Sequence, residues 1–196
     1  MTGGATDLWG QWQKHGAQGL SGARALAAEL DRIARQGAIA SPVTTNRGLT
    51  ARLRYLNSRP GRETLAKHGV STRLLRSWQR GARPSAPKLD AVDRAYQERR
   101  RDNLVRSGAL KRLLDNDGRG RRIEVYPVDQ TAVPEQYRRP NISERSVQAR
   151  YVWDDMVIAW GKGDMDTLDE IWDDIITDLD SDYAAYAYVG SIGIGA

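Results

Sequence analysis

The stretch Gly61-Arg-Glu-Thr-Leu-Ala-Lys-His-Gly-Val-Ser-Thr-Arg-Leu-Leu-Arg-Ser-Trp-Gln-Arg-Gly-Ala-Arg-Pro84 decides the fold expected for this 196-residue chain. It predicts a short helix over about residues 62–68, followed by a tight turn at residues 69–71. Ser71 has the side chain of a helix N-cap, so a second helix is expected from about residue 72 to residue 80. Gly81 suits the end of that helix. The stretch therefore predicts two short helices joined by a tight turn.

The second predicted helix has two different faces. Leu74, Leu75 and Trp78 form its apolar face. We interpret Trp78 as a core residue; the alternative is an aromatic ring that stacks on a flipped base. Two helices of this kind joined by a tight turn are typical of a helix-turn-helix, which places its second helix in the major groove of DNA.

The outward face of that helix carries side chains that suit DNA recognition. Long donors on such a face reach base edges, and Arg paired with guanine is the commonest specific contact. The candidate base contacts are Thr72, Arg73, Arg76 and Ser77. Other cations are expected to bind phosphates. They are Arg80, Arg83, Lys88, Arg99, Arg100, Arg101, Arg119, Arg121 and Arg122.

One spacing departs from the common helix-turn-helix pattern. In that pattern more residues lie between a small residue of the first helix and the turn glycine, whereas here Ala66 and Gly69 are separated only by Lys67 and His68. Either the first helix is shortened, or Leu65 takes the place of the usual small residue. His68 is expected to be a half-buried packing residue.

Charge is divided unevenly along the chain. Residues 47–122 contain 21 Lys or Arg and 7 Asp or Glu, a net charge of +14, whereas residues 151–196 have a net charge of −10. Such separation predicts different roles for the two regions. The basic region indicates double-stranded DNA as partner. The acidic region has three interpretations: it binds a basic partner or a second copy of the chain, it folds back on the basic surface, or it is ordinary core.

Composition excludes several other classes. Cysteine is absent and there are two histidines, so disulfides and Cys-containing zinc sites are excluded. Paired carboxylates such as Asp154 and Asp155 are adjacent, so they point to different helix faces and form no catalytic dyad. We therefore predict no enzyme, no cofactor and no metal. The helical spacing of Asp166, Asp169 and Glu170 has two interpretations, a divalent-ion site and a solvated face, and the solvated face is expected. No apolar run approaches the roughly 18 residues of a membrane span, and no signal peptide is visible. No membrane partner and a cytoplasmic location are expected.

The remaining pattern predicts a mainly α fold, with an N-terminal helical helix-turn-helix domain and a small α+β C-terminal domain. The predicted domains are an N-terminal helical extension over 1–46, the DNA-binding domain over 47–116 and an acidic α+β domain over 123–196. Further helices are expected at about 22–36, 49–59, 88–106, 109–114 and 147–160, and strands at 123–128 and within 183–194. Asp164 is expected to cap the most regular amphipathic helix. Its apolar stripe comprises Leu168, Ile171, Trp172, Ile175, Ile176 and Leu179.

From about Thr50 to Tyr183 the chain resembles the telomere terminal proteins of linear actinomycete chromosomes and plasmids. The resemblance rests on four stretches in order. They are Leu53-Arg-Tyr-Leu56, the segment from Gly69-Val-Ser-Thr-Arg through Trp78 to Arg83-Pro84, the basic helix Lys88–Arg106, and the strand-loop with Thr131-Ala-Val-Pro134. The first 46 residues and the acidic C-terminal helix lie outside it or differ.

Members of that family bind telomeric DNA and become joined to its 5′ end through a side-chain hydroxyl. The resemblance therefore implies that Thr131 is the attachment position, and that a replication protein, the polymerase that supplies the metal, is a partner. The same helix-turn-helix, with its Trp and Arg-x-Pro, also resembles regulators from actinomycete plasmids and phages. A regulatory or replicon-associated DNA-binding protein is thus the first expectation, priming the second, and a structural or interaction protein the third.

Overall fold

The computed structural model describes residues 13–139, 142–179 and 183–195. The helices are α1 Gly22–Arg35, α2 Asn46–Tyr55, α3 Arg59–Lys67, α4 Thr72–Gln79, α5 Ala86–Arg106, α6 Ala109–Asp115, α7 Trp153–Lys162 and α8 Met165–Thr177. The strands are β1 Leu20–Ser21, β2 Arg121–Pro127, β3 Arg145–Ala149 and β4 Tyr188–Ile194. Short 3-10 turns lie at Glu135–Tyr137 and Tyr183–Tyr186. In the described residues the predicted mainly helical fold with some β-structure is thus confirmed.

The chain divides into two compact units. Ala34–Ser107 forms an all-helical unit, and the described residues of Met1–Ile33 and Gly108–Ala196 form a unit with a sheet. These boundaries differ from the predicted ones, because most of α1 belongs with the C-terminal half. Residues 1–12 of the predicted N-terminal extension lie outside the described residues.

The sheet has four antiparallel strands in the order β1-β4-β2-β3. β4 lies between β1 and β2, with Leu20 opposite Val189 and Ile123 opposite Ile194. Ile123 and Val125 are completely buried, as the alternation of residues 123–128 predicts. The last strand of the chain is therefore central to its unit.

α1 is joined to this sheet and to α8 by close contacts. The Glu29 carboxylate accepts a 3.0 Å hydrogen bond from the backbone N–H of Ile194, in a buried position. A Cβ atom on Gly22 would lie 1.9 Å from Cδ1 of Trp172, so only glycine permits this approach. Such contacts between distant parts of the sequence explain why α1 is not a separate extension.

The predicted helix over residues 147–160 is wrong in its first part. Residues 145–149 form β3, in which Val147 lies opposite Ile123, and α7 begins only at Trp153. The alternating residues of this segment pair with β2, and this tertiary pairing outweighs their helical pattern. From Trp153 onward the helix buries one face, as expected.

The apolar stripe of α8 lies within its own unit. Asp164 caps the helix as predicted, and its Oδ1 accepts a 3.1 Å hydrogen bond from the Thr167 N–H. The exposed fraction of every stripe residue is 8% or less. These residues are Leu168, Ile171, Trp172, Ile175, Ile176 and Leu179. The structure thus favours the core interpretation of the stripe over a contact with a second copy.

The helical unit packs around α5. Its buried cluster includes Leu65 of α3, Val70 of the following turn and Tyr96 of α5. Arg52 of α2 is buried and forms a 2.6 Å ion pair with Asp93 of α5. α5 is therefore the element to which the shorter helices of this unit are attached. Over the described ranges of both units, no helix has the length and apolar character needed to cross a membrane.

Candidate nucleic-acid interface

α3 is a nine-residue helix that begins earlier than the sequence predicts. Ser58 caps it by accepting a 3.2 Å hydrogen bond from the Gly61 N–H, and Pro60 occupies the first turn, where a missing N–H costs nothing. The helix ends at Lys67, and His68 is its half-buried C-cap residue. His68 thus has the burial that was predicted for it.

The turn between α3 and α4 is built around Gly69. Its φ angle is +74°, a left-handed conformation that favours glycine. The Gly69 N–H donates to the Ala66 carbonyl oxygen and the Val70 N–H to that of Leu65, both at 2.9 Å. This is the Schellman pattern, in which Leu65 and Val70 are also packed together in the core. The turn fixes the direction in which the chain enters α4.

α4 is attached to the unit by one face. Ser71 Oγ accepts a 3.3 Å hydrogen bond from the Leu74 N–H and caps the helix, as predicted. Leu75 and Trp78 pack against the buried cluster, but no residue of α4 is fully buried. Trp78 is half-buried, so it is a core residue on one side only.

The outward face of α4 carries the residues predicted to contact bases. Thr72, Arg73 and Arg76 are exposed and Ser77 is half-buried. Arg80 and Arg83, in the segment after the helix, are exposed as well. Within the described residues, four arginine side chains form no hydrogen bond or ion pair. They are Arg73, Arg76, Arg80 and Arg83. This surface, which we call the α4 arginine face, is a group of cations that the unit does not neutralise.

Glu98 of α5 holds the end of α3. Lys67 Nζ donates to Glu98 Oε1 at 2.7 Å, and His68 Nε2 lies 2.7 Å from Glu98 Oε2. The hydrogen bond from Lys67 lowers the pKa of Glu98, and the bond with His68 acts in the same direction, while burial opposes both. In the sequence this role is indicated only weakly, by a carboxylate that lies beside a run of arginines.

Lys88 also holds this region together. Its Nζ donates a 2.7 Å hydrogen bond to the carbonyl oxygen of Gly69, in the turn that precedes α4. The side chain is half-buried. The sequence predicts a phosphate contact for Lys88 and not this positioning role, and the bond to the Gly69 carbonyl oxygen competes with such a contact.

The predicted phosphate-binding run on α5 is largely engaged within the unit. Arg99 is 13% exposed and lies 3.7 Å from the Asp102 carboxylate. Arg100 donates to the carbonyl oxygens of Ala34 and Gln36, at 3.0 and 2.8 Å. Arg101 is half-buried and has an intramolecular partner. These three arginines therefore present less available charge than the α4 arginine face.

The other basic positions lie in the sheet unit. Arg121 donates two hydrogen bonds to the carbonyl oxygen of Leu113, at the end of α6. Arg119 is 76% exposed and lies 3.9 Å from the Asp117 carboxylate, and Arg122 is exposed. Arg121 thus closes the α6–β2 connection, whereas Arg119 and Arg122 point to solvent.

Thr131 lies in an exposed turn of the sheet unit. Its hydroxyl and its backbone N–H both donate to Asp129 Oδ1, and the Arg138 guanidinium binds its carbonyl oxygen at 3.0 Å. The hydroxyl bond, followed by the backbone bond, lowers the pKa of Asp129. The structure therefore places a surface hydroxyl directly beside a carboxylate.

The described residues include no group of three or more histidines or carboxylates with the geometry to hold a metal ion. No family model matches the chain, and no curated protein or solved structure is significantly similar to it.

Proposed function

We propose that the chain binds double-stranded DNA, with α3, the Gly69 turn and α4 acting as a helix-turn-helix. α4 would lie in the major groove, and the protein would act as a sequence-recognising regulator or replicon-associated protein. The α4 arginine face is the observation that carries this proposal. Its four guanidiniums are exposed and have no partner within the described part of the helical unit.

The size of α4 supports this placement. α4 is a regular helix of eight residues, and an α-helix with its side chains is about 10–12 Å in diameter, which fits the roughly 12 Å width of the major groove. Arg73 and Arg76 lie on the helix, where they would reach base edges. Arg80 and Arg83 follow its C-terminal end, where they would bind phosphates.

The attachment of α4 supports it as well. A recognition helix must keep its angle when it meets the duplex, because a base contact requires fixed donor positions. The Schellman turn at Gly69, the bond that Lys88 donates to Gly69 and the bond that Lys67 donates to Glu98 hold the start of α4 in place. Because the helix would already be ordered before it meets DNA, binding would not carry an additional free-energy cost for ordering it.

Selection of bound sequences from random duplexes, followed by a salt titration of the selected site, tests this proposal. If five or six phosphates are contacted, the slope of log affinity against log salt is about −5. A slope near zero, or no selected sequence, would refute the proposal.

Thr131 supports a second candidate function, a terminal protein that primes DNA synthesis. Its hydroxyl is exposed and donates a hydrogen bond to the Asp129 carboxylate, which holds the oxygen in a fixed position. In that reaction the Thr131 oxygen would bond to the α-phosphorus of a deoxynucleoside triphosphate, pyrophosphate would leave, and a partner polymerase would supply the metal. Mass spectrometry after incubation with the polymerase from the same source tests it. The nucleotide mass must appear on Thr131 and be absent from the Thr131→Val variant.

A further inference from the structure

The helical unit contains a cavity of about 590 Å³ between α2 and the C-terminal end of α4. α2 contributes Asn46 and Arg54 to its walls, and Asn57 follows that helix. Trp78 and Arg83 line the opposite side. The volume lies within the roughly 300–1,000 Å³ range of small-molecule sites.

The polar groups of the cavity are suited to an anion. Arg54 and Arg83 both line it, and neither guanidinium has a hydrogen bond or ion pair with another side chain or carbonyl in the described ranges. No Asp or Glu is among the described residues that form its walls. A phosphate matches two such guanidiniums, because Arg binds phosphate through paired N–H donors.

Arg52 provides a comparison on the same helix. It lies two residues before Arg54, but it is buried, is paired with Asp93 and donates to the Ser41 carbonyl oxygen. Arg52 therefore has a structural role. Arg54 is exposed and has none of these contacts, so its charge is available to a ligand.

The remaining walls are suited to a planar ring with a hydrogen-bonding edge. Leu49 and Leu53 supply apolar surface, and Trp78 supplies an indole whose other contacts are with the core. Bases stack on aromatic side chains, and this stacking accepts any base because every base has a π-face. Asn57 and Gln79 present amide groups, which form paired hydrogen bonds with adenine.

We propose that this cavity is a nucleotide-binding site, in which Arg54 and Arg83 bind the phosphate and Trp78 stacks on the base. The nucleotide has two possible sources with the same chemistry. It is either a free mononucleotide or an unpaired nucleotide of a DNA strand. The proposal does not rest on duplex binding, because a free mononucleotide can be measured without DNA.

Isothermal titration of the full chain with deoxyadenosine monophosphate tests the site, with deoxyribose 5-phosphate as the ligand that lacks only the base. We expect the mononucleotide to bind at least about tenfold more tightly than the sugar phosphate. Equal affinities, or no binding of either ligand, would overturn the proposal, because the cavity would then recognise an anion only or nothing.

Variants connect binding to the cavity. Arg54→Gln removes one charge from its wall and is expected to weaken mononucleotide binding about tenfold. Gln79→Ala removes an amide at an exposed position and is expected to weaken it by about threefold. Arg106→Gln removes the same charge from the last turn of α5 and leaves binding unchanged. Losses as large for Arg106→Gln as for Arg54→Gln would overturn the site, since net charge alone would explain them.

Competition distinguishes the two sources. A duplex with one unpaired terminal nucleotide and a blunt duplex of the same sequence are each used to displace the mononucleotide. Displacement by the unpaired end at lower concentration than by the blunt end supports a nucleotide of DNA as the occupant. Both duplexes also compete for Arg83, which the proposed function places against duplex phosphates, so the difference between the two duplexes is the readout. No difference between them, with the mononucleotide bound as expected, supports a free nucleotide.

Discussion

Lys88 Nζ donates a 2.7 Å hydrogen bond to the carbonyl oxygen of Gly69, which joins the first turn of α5 to the turn between α3 and α4. The carbonyl belongs to a left-handed residue at the end of α3, where backbone acceptors lack helical partners. A cation at a helix C-terminus also meets the negative end of the helix dipole. Lys88 therefore fixes the turn from which α4 starts.

Replacing Lys88 with Ala is expected to affect stability more than the salt dependence of DNA binding. Loss of the bond to Gly69 should lower the free energy of unfolding by about 1 kcal/mol. The salt slope should stay unchanged, while Arg80→Ala, the control, should reduce it by about 1. Urea denaturation and anisotropy in a salt series measure the two effects. A reduction of the slope by about 1 for Lys88→Ala would show instead that Lys88 contacts a phosphate.

Glu98→Gln is expected to make the stability of the helical unit less dependent on pH. Because Lys67 lowers the pKa of Glu98, the carboxylate stabilises the folded state above its unfolded pKa of about 4.3. This stabilisation is lost as pH falls through the folded-state pKa. The variant should therefore be less stable than the wild type at pH 7, and the difference should shrink towards pH 3.

Glu63→Gln is the matched control, since Glu63 is exposed and its one partner among the described residues is Arg59, one helical turn away. It should change stability little at any pH, as exposed ion pairs do. Chemical denaturation at a series of pH values gives both curves. If the free energy of unfolding of the wild type exceeds that of Glu98→Gln by the same amount at pH 3 and pH 7, the ionised Glu98 contact is not the source of the difference.

Removal of residues 164–196 is expected to unfold the sheet unit. The deletion removes α8 and β4, and β4 pairs with both β1 and β2. Ile123 and Val125, which are completely buried, would then be exposed to water. Circular dichroism should show lost helix and strand signal, and light scattering should show aggregation. A folded and monomeric truncated chain, from a full-length protein that is dimeric, would instead restore the dimer interpretation of α8.

The sequence identifies helices with local end signals well. Ser71 and Asp164 are caps in the structure as predicted, because an N-cap side chain acts on the N–H groups two or three residues away. Gly69 forms the predicted turn for an equally local reason, its left-handed φ. Such signals require no knowledge of the rest of the fold.

Pairings between distant segments could not be predicted in this way. β1 is only two residues long, and β3 was interpreted as the start of a helix. Both are strands because β4 and β2 lie beside them. Likewise, Arg100 belongs to an obvious basic run, yet its donors are bound to carbonyls that are far away in sequence. Side-chain type predicts what a residue can bind, while the tertiary structure determines whether it is still available.

Competition between the selected site and a random duplex, for Arg76→Ala and Arg106→Ala, tests the central claim most directly. Arg106 is exposed and lies about 27 Å along α5 from Lys88, so its loss removes the same charge at a distance from the Gly69 turn. It is a better control than Arg100, which holds two backbone carbonyls.

We predict that Arg76→Ala weakens binding to the selected site by about 1–3 kcal/mol and reduces the preference for it over random duplex. Arg106→Ala should leave both quantities unchanged. Equal losses on the two duplexes for Arg76→Ala, or the same loss for both variants, would contradict the assignment of α4 as the helix that reads DNA.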